Sequence, residues 1–201
     1  MEIVLATRNK KKIEEIKRIT AGLPITILPL DDYPDCPEVV EDADTFEGNA
    51  IKKAVEISQC TGKVALADDS GLEVDALGGA PGVHSARYTG SSGNDVKNYE
   101  KLLSELRNVP DGKTAAQFIC CIALAFPDGT VKTFVGSAKG RIGREPKGKS
   151  GFGYDPVFYP EGFDRTFAEM TGSEKDCLSH RGKALEKLAK FLRTTATHKQ
   201  N

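Results

Sequence analysis

The chain has 201 residues, 28 basic and 29 acidic side chains, and a formal net charge of -1. That balance excludes a general nucleic-acid binder and a basic membrane-surface protein. The length suffices to bury about 70% of the extended surface, so a single domain can fold without disulfides.

No apolar run approaches the ~18 residues of a bilayer span, and no leader pattern precedes the first strand, which predicts a cytoplasmic protein. The five cysteines, Cys36, Cys60, Cys120, Cys121 and Cys177, are odd in number and irregularly spaced. Without a Cys-x-x-Cys pair they are expected to be reduced thiols. His84, His180 and His198 lack helical His-x-x-x-His spacing and suggest no zinc site.

Ile3-Val4-Leu5-Ala6 suits a buried parallel strand. From Lys10 a helix is predicted, with Ile13, Ile16, Ile19 and Leu23 at near-helical spacing. Asn9 is its candidate N-cap, and the helix opens with Lys10, Lys11 and Lys12. Three cations at that end oppose the macrodipole unless an anion sits among them. The stretch Thr7-Arg8-Asn9-Lys10-Lys11-Lys12 therefore reads either as a phosphate cradle or as a solvated lysine face. It lacks the glycine-rich Walker pattern.

Residues 24–44 predict one strand, Ile25 to Leu28, and an acidic loop ending in Glu41-Asp42-Ala43-Asp44. The next helix carries Phe46, Ala50, Ala54 and Ile57 on one face, with Asp44 or Thr45 as cap. Asn49 and Lys53 lie four apart on one of its faces. A short strand, Val64 to Ala67, is expected to end in an Asp68-Asp69-Ser70-Gly71 turn. Adjacent carboxylates repel, so the pair requires solvent or a cation.

Gly78 to Gly82 and Gly90 to Gly93 read as loops. A core-facing helix follows Asn94, carrying Tyr99, Leu102, Leu103 and Leu106. Ala115 to Phe126 and Val131 to Ala138 predict a hairpin around Pro127-Asp128-Gly129-Thr130, which makes the sheet mixed. In Ser150-Gly151-Phe152-Gly153-Tyr154-Asp155-Pro156 two glycines would let a flat ligand approach the Phe152 ring, and Asp155 could accept from a base edge. The last helix, capped by Ser179, again opens with cations, His180 and Arg181. One polyanionic ligand would account for both basic helix starts.

Six stretches in register carry a resemblance to the inosine/xanthosine triphosphate pyrophosphatase family. They are Thr7-x-Asn9-x-x-Lys12, Thr45-Phe46-Glu47-x-Asn49-Ala50, Ala67-Asp68-Asp69-Ser70-Gly71-Leu72, Gly78-Gly79-Ala80-Pro81-Gly82-Val83-x-Ser85-Ala86-Arg87-Tyr88, Gly151-Phe152-Gly153-Tyr154-Asp155-Pro156 and Ser179-His180-Arg181-Gly182. The resemblance implies an α/β fold with a mixed β-sheet core in two lobes, flanking helices and a cleft between the lobes. It implies one pyrophosphatase domain over residues 1–201, usually as a homodimer. It also implies Mg2+-dependent hydrolysis of ITP, dITP and XTP to the monophosphate and pyrophosphate.

By the same resemblance Asp69 is the catalytic carboxylate, and Glu41 joins it as metal ligand. Thr7, Arg8, Asn9, Lys10, Lys11 and Lys12 form the triphosphate loop. Ser70, Phe152, Gly153, Tyr154, Asp155, Lys175, His180 and Arg181 take nucleotide-binding positions. Two residues depart from the family pattern: Val40 stands where many relatives carry a further acid, and Gly48 replaces a frequent glutamate.

The chemistry agrees with this assignment. Cleavage between the α- and β-phosphates needs a metal, a positioned water and cations on the leaving group. Lys12 and Lys53 are expected to hold phosphates, Phe152 to stack on the base, and Asp155, His180 and Arg181 to read its edge. Asp68 has no assigned role. Two other readings stay open: a pyrophosphatase for pyrimidine or other non-standard nucleotides, and a nucleotide-binding module without turnover.

Overall fold

The computed structural model describes residues 1–90 and 94–198. Most of the loop expected at Gly90 to Gly93 lies outside the described residues. The element order is β1 (Glu2–Leu5), α1 (Lys10–Ile19), β2 (Thr26–Pro29), α2 (Phe46–Thr61), β3 (Ala65–Val74), α3 (Asp95–Glu105), β4 (Ala115–Ala125), β5 (Val131–Ile142), β6 (Phe158–Pro160), α4 (Gly172–Leu178) and α5 (His180–His198).

Helices α1, α2 and α3 start where polar caps satisfy first-turn N–H groups. Asn9 accepts from the N–H groups of Lys11 and Lys12, Thr45 from Gly48, and Asn94 from Lys97. The sheet runs β2-β1-β3-β4-β5-β6. Strand β1 is parallel to β2 and β3, whereas β5 and β6 are antiparallel. The sheet is therefore mixed, as the sequence predicts. At the β4–β5 turn Phe126 N–H donates to the Thr130 carbonyl and Gly129 N–H to the Phe126 carbonyl, each at 2.9 Å.

The chain forms two compact units. The first comprises residues 1–69, 120–136 and the chain from Arg181; the second comprises 70–119 and 137–180. Strands β3, β4 and β5 each pass from one unit into the other. In the first unit the core gathers Ile3, Leu5, Leu66 and Ile122 with Ile16 of α1 and Leu185 and Leu188 of α5. In the second, Leu72, Leu102, Phe118, Phe158 and Phe167 form the centre. Among the described residues no helix is long and apolar enough to cross a membrane.

Three expectations are corrected. The Asp-Asp-Ser-Gly stretch is not a turn: β3 continues through it to Val74, with Asp68 and Asp69 both buried. Lysine and arginine side chains from other elements neutralise the two acids, so the strand need not surface there. Strand β5 extends to Ile142, beyond Ala138. The helix expected from His180 is present as α5, and a further short helix, α4, precedes it, with Ser179 in extended conformation between them.

The third correction concerns the cysteines. Cys36 and Cys60 form a disulfide across Cα atoms 5.8 Å apart. Their 24-residue separation gives no local signal of that proximity. Cys120, Cys121 and Cys177 are free thiols.

Candidate active site

In the first unit the chain leaves β1 and turns at Thr7, whose hydroxyl accepts the Asn9 N–H at 3.1 Å. Asn9 then caps α1 through Lys11 and Lys12 N–H, at 3.1 and 3.3 Å. No acidic residue offsets the dipole in the first turn of α1. Lys10 and Lys11 are exposed, and Arg8 lies 3.4 Å from Asp31 at the surface. Lys12 turns inward, its Nζ 2.5 Å from Asp68 Oδ1. This is an electropositive helix start, suited to phosphate oxygens.

Asp68 sits in a cage of buried charge. Arg181 Nε donates to its Oδ2 at 2.9 Å and Nη2 to its Oδ1 at 3.4 Å. Arg181 Nη1 donates to Glu15 Oε2 at 2.5 Å. The thiol of Cys120 also donates to Asp68 Oδ2, at 3.0 Å. Burial opposes ionisation of Asp68, but Arg181 and Lys12 outweigh it and hold the carboxyl well below the usual range. Burial dominates at Cys120, with the Asp68 charge adding to it, and pushes the thiol up, so it stays protonated.

Asp69 has different neighbours. Its Oδ1 accepts from Lys53 Nζ at 3.1 Å and its Oδ2 from Asn49 Nδ2 at 3.3 Å. The same ammonium reaches Glu41 Oε1 at 2.7 Å and the Asp68 carbonyl at 2.8 Å, which uses all three of its donors. Burial pushes the Asp69 carboxyl above its ordinary value, with Lys53 and Lys12 opposing and Glu41 adding to the rise. Burial opposes the charge on Lys53, and Asp69 and Glu41 outweigh it, so the ammonium is retained.

The Glu41–Asp69 pair fits a hard divalent cation. Among the described residues no three acidic, histidine or cysteine side chains gather as a metal cluster. A pair of carboxylates is nonetheless what Mg2+ uses, since it takes few protein ligands and fills the rest with water and phosphate oxygens. The Lys53 ammonium stands where such a positive charge belongs.

The second unit holds the Gly151–Asp155 stretch. Gly151 has φ +75°, and a Cβ there would lie 2.1 Å from Asp155 Oδ2. Asp155 Oδ2 accepts from Phe152 N–H at 2.8 Å and from Lys175 Nζ at 2.6 Å. Lys175 also lies 4.8 Å from the centroid of the Phe152 ring. Aromatic face, ammonium and carboxylate thus lie together. Gly153 has φ +62° with open space where a Cβ would project. Tyr154 is buried and donates to the Ser85 carbonyl at 2.9 Å, a structural contact. His180 stacks on Phe118 with centroids 4.6 Å apart. Ser70 follows Asp69 in β3 and is half-buried.

The predicted residues therefore divide. Lys12, Glu41, Lys53 and Asp69 come together in the first unit, and Phe152, Asp155 and Lys175 in the second. Arg181, expected at the base, has its guanidinium on Asp68 and Glu15. Two residues of the first site were not among the sequence candidates, Asn49 and Glu15. Asn49 had its spacing from Lys53 as a signal. Glu15, buried against Arg181, had only its place three residues after Lys12.

A sequence profile of the Ham1 family matches residues 3–191. The chain is 48% identical over 200 residues to a dITP/XTP pyrophosphatase of Desulforamulus reducens, covering 100% of both chains. It is 52% identical over 190 residues to the dITP/XTP pyrophosphatase of Geobacter sulfurreducens, covering 94% of this chain and 96% of that one. Among solved structures, a HAM1 protein from Coxiella burnetii superposes with a TM-score of 0.88 at 42% identity, covering 96% of this chain and 99% of that one. With a full-length profile match and close relatives across its whole length, the chain belongs to the Ham1 family.

Proposed function

We infer that this chain hydrolyses non-canonical purine nucleoside triphosphates, dITP, XTP and ITP, to the monophosphate and pyrophosphate. One observation carries the reading: Glu41 and Asp69 are bridged by a lysine ammonium beside a basic helix start, in a chain about half identical to dITP/XTP pyrophosphatases. Glu41 and Asp69 would hold Mg2+, which when bound would neutralise phosphate charge and polarise phosphoryl oxygens as a Lewis acid.

Asp69 orients the attacking water and takes its proton; the upward displacement of its carboxyl by burial suits that task. Water oxygen bonds to the α-phosphorus as the bond to the α,β-bridging oxygen breaks, and pyrophosphate departs. Lys12, Lys53 and the N–H groups at the start of α1 stabilise the leaving charge, with Thr7, Arg8, Asn9, Lys10 and Lys11 lining the triphosphate. Phe152 stacks on the base, Lys175 donates to O6, and Asp155 accepts from N1–H. His180 and Ser70 complete the nucleotide contacts, while Gly153 and Tyr154 shape the loop.

Adenine presents the opposite pattern, a donor at position 6 and an acceptor at N1. Buried groups left without partners can reject it by about 10⁴-fold. In this proposal Arg181 anchors Asp68, and through it Lys12. The enzyme is a single domain over residues 1–201, acting in the cytoplasm as a homodimer.

The test is pyrophosphate release from ITP, dITP, XTP, ATP and GTP with and without Mg2+. Turnover of the first three that needs Mg2+ and is abolished in Asp69→Asn, with an unchanged circular dichroism spectrum, is expected. Equal turnover of ATP, or an active Asp69→Asn protein, overturns the reading.

A further inference from the structure

Asn49 is fully buried on α2, one turn before Lys53. Its side-chain oxygen accepts the Ala43 N–H at 2.9 Å, and its Nδ2 donates to the Ala43 carbonyl at 3.2 Å and to Asp69 Oδ2 at 3.3 Å. Both N–H donors are thereby used, and the orientation of the amide is determined. A flipped carboxamide would set its oxygen against a carbonyl and a carboxylate.

Ala43 follows Glu41 by two residues. The loop is pressed onto α2 beside Asn49, because Gly48 leaves room there: a Cβ on Gly48 would come within 2.9 Å of Ala43 Cβ. One side chain thus ties together the loop bearing Glu41, the strand bearing Asp69 and the helix bearing Lys53. Asn49 also occupies Asp69 Oδ2 with a neutral donor. It orients the carboxylate without cancelling its charge, while Oδ1 faces Lys53.

Resting on the assignment of Asp69 and Glu41 above, we propose that Asn49 is a positioning residue for the reaction. It holds the Glu41 and Asp69 carboxylates in the mutual arrangement that a divalent cation and the attacking water require. The contrasting role, a cap that only satisfies the Ala43 peptide, predicts lost stability and nothing else.

Asn49→Ala removes every bond, and Asn49→Asp keeps the shape and the acceptor for Ala43 N–H but removes both donors. Such outer-shell partners typically carry about 10–100-fold of activity or metal affinity. Both variants, assayed well below their melting temperatures, are expected to lose kcat for ITP by about that factor, with KM within about 3-fold of wild type. Mn2+ binding to the nucleotide-free Asn49→Ala protein, read by electron paramagnetic resonance, is expected to weaken by about 10-fold. In an Asp69→Asn background, Asn49→Ala should change the residual rate no further.

An Asn49→Asp protein with wild-type kcat overturns the proposal. So does an Asn49→Ala protein that melts earlier but binds Mn2+ and turns over ITP normally, when Asp69→Asn alone is inactive. An active Asp69→Asn protein instead overturns the pyrophosphatase assignment on which the proposal rests.

Discussion

Replacing Arg181 by methionine tests the charge cage directly. Arg181 is 1% exposed and its guanidinium donates to Asp68 and Glu15, themselves 1% and 6% exposed. Methionine preserves much of the volume and removes the cation, leaving two interior carboxylates, with Lys12 still paired to Asp68. Breaking a buried pair from one side costs about 3–5 kcal/mol, because the surviving charge is uncompensated. At roughly 2–4 °C per kcal/mol for a chain of this size, the melting temperature should fall by about 6–20 °C.

The pH dependence has a definite sign. In the wild type Asp68 is held well below its ordinary value, so its contribution is present above the unfolded pKa of about 3.9 and is lost as pH falls through the folded value. In the variant burial is no longer outweighed by Arg181, and the carboxyls gain stability on protonation. The gap between the two proteins should therefore narrow from pH 7.5 to pH 5. Urea unfolding in the presence of a chelator measures it. A gap below about 1 kcal/mol, or one that widens in acid, refutes the cage. In kinetics Arg181→Met should lower kcat/KM for ITP and ATP by similar factors; a selective loss for ITP would return Arg181 to the base.

Other perturbations probe the remaining contacts. Reducing the Cys36–Cys60 bond, which spans 24 residues, should cost about 3.5 kcal/mol by loop entropy, seen as a lower melting temperature that Cys36→Ser reproduces without reductant. Equal melting with and without reductant would exclude the tether. Gly151→Ala sets a Cβ against Asp155 at a positive φ, and should raise KM for ITP by about 10-fold while costing about 1–3 kcal/mol of stability. Unchanged KM would separate Asp155 from nucleotide binding. Lys53→Met leaves Glu41 and Asp69 facing each other, so 10 mM Mg2+ should raise its melting temperature more than it raises that of the wild type. An equal rise would mean that the ammonium does not stand in for the metal.

The helix starts were legible in the sequence because caps are local: Asn9, Thr45 and Asn94 each bond N–H groups two or three residues ahead. The mixed sheet was legible from the hairpin turn at Pro127 to Thr130. What escaped had long-range causes. Cys36 meets Cys60 only after the acidic loop has returned along α2. Arg181 meets Asp68 across 113 residues, so its isolated position at a helix start resembled a ligand arm. The Gly48 departure, unremarkable on a helix surface, makes sense once Ala43 is seen pressed against it.

The largest misreading, that of Asp68 and Asp69 as a turn, explains why no role could be given to Asp68 from sequence. In a turn two adjacent acids share one environment; in a strand successive side chains point to opposite faces. Leu66 packs in the core with Ile16 of α1 and Leu185 of α5, and Asp68, two residues on, reaches Lys12 and Arg181 from those same helices, Arg181 being held also by Glu15 of α1. Asp69 takes the other face and meets Asn49 and Lys53 of α2. The same strand thus sets one carboxyl well below its ordinary value and the other above it. The first is locked as an anion among cations and serves as an anchor. The second is held between an amide and an ammonium beside Glu41, where it can bind a cation and accept a proton. Continuity of β3 through Asp68 and Asp69 is therefore what gives two identical neighbours different surroundings, as the proposed roles of support and reagent require.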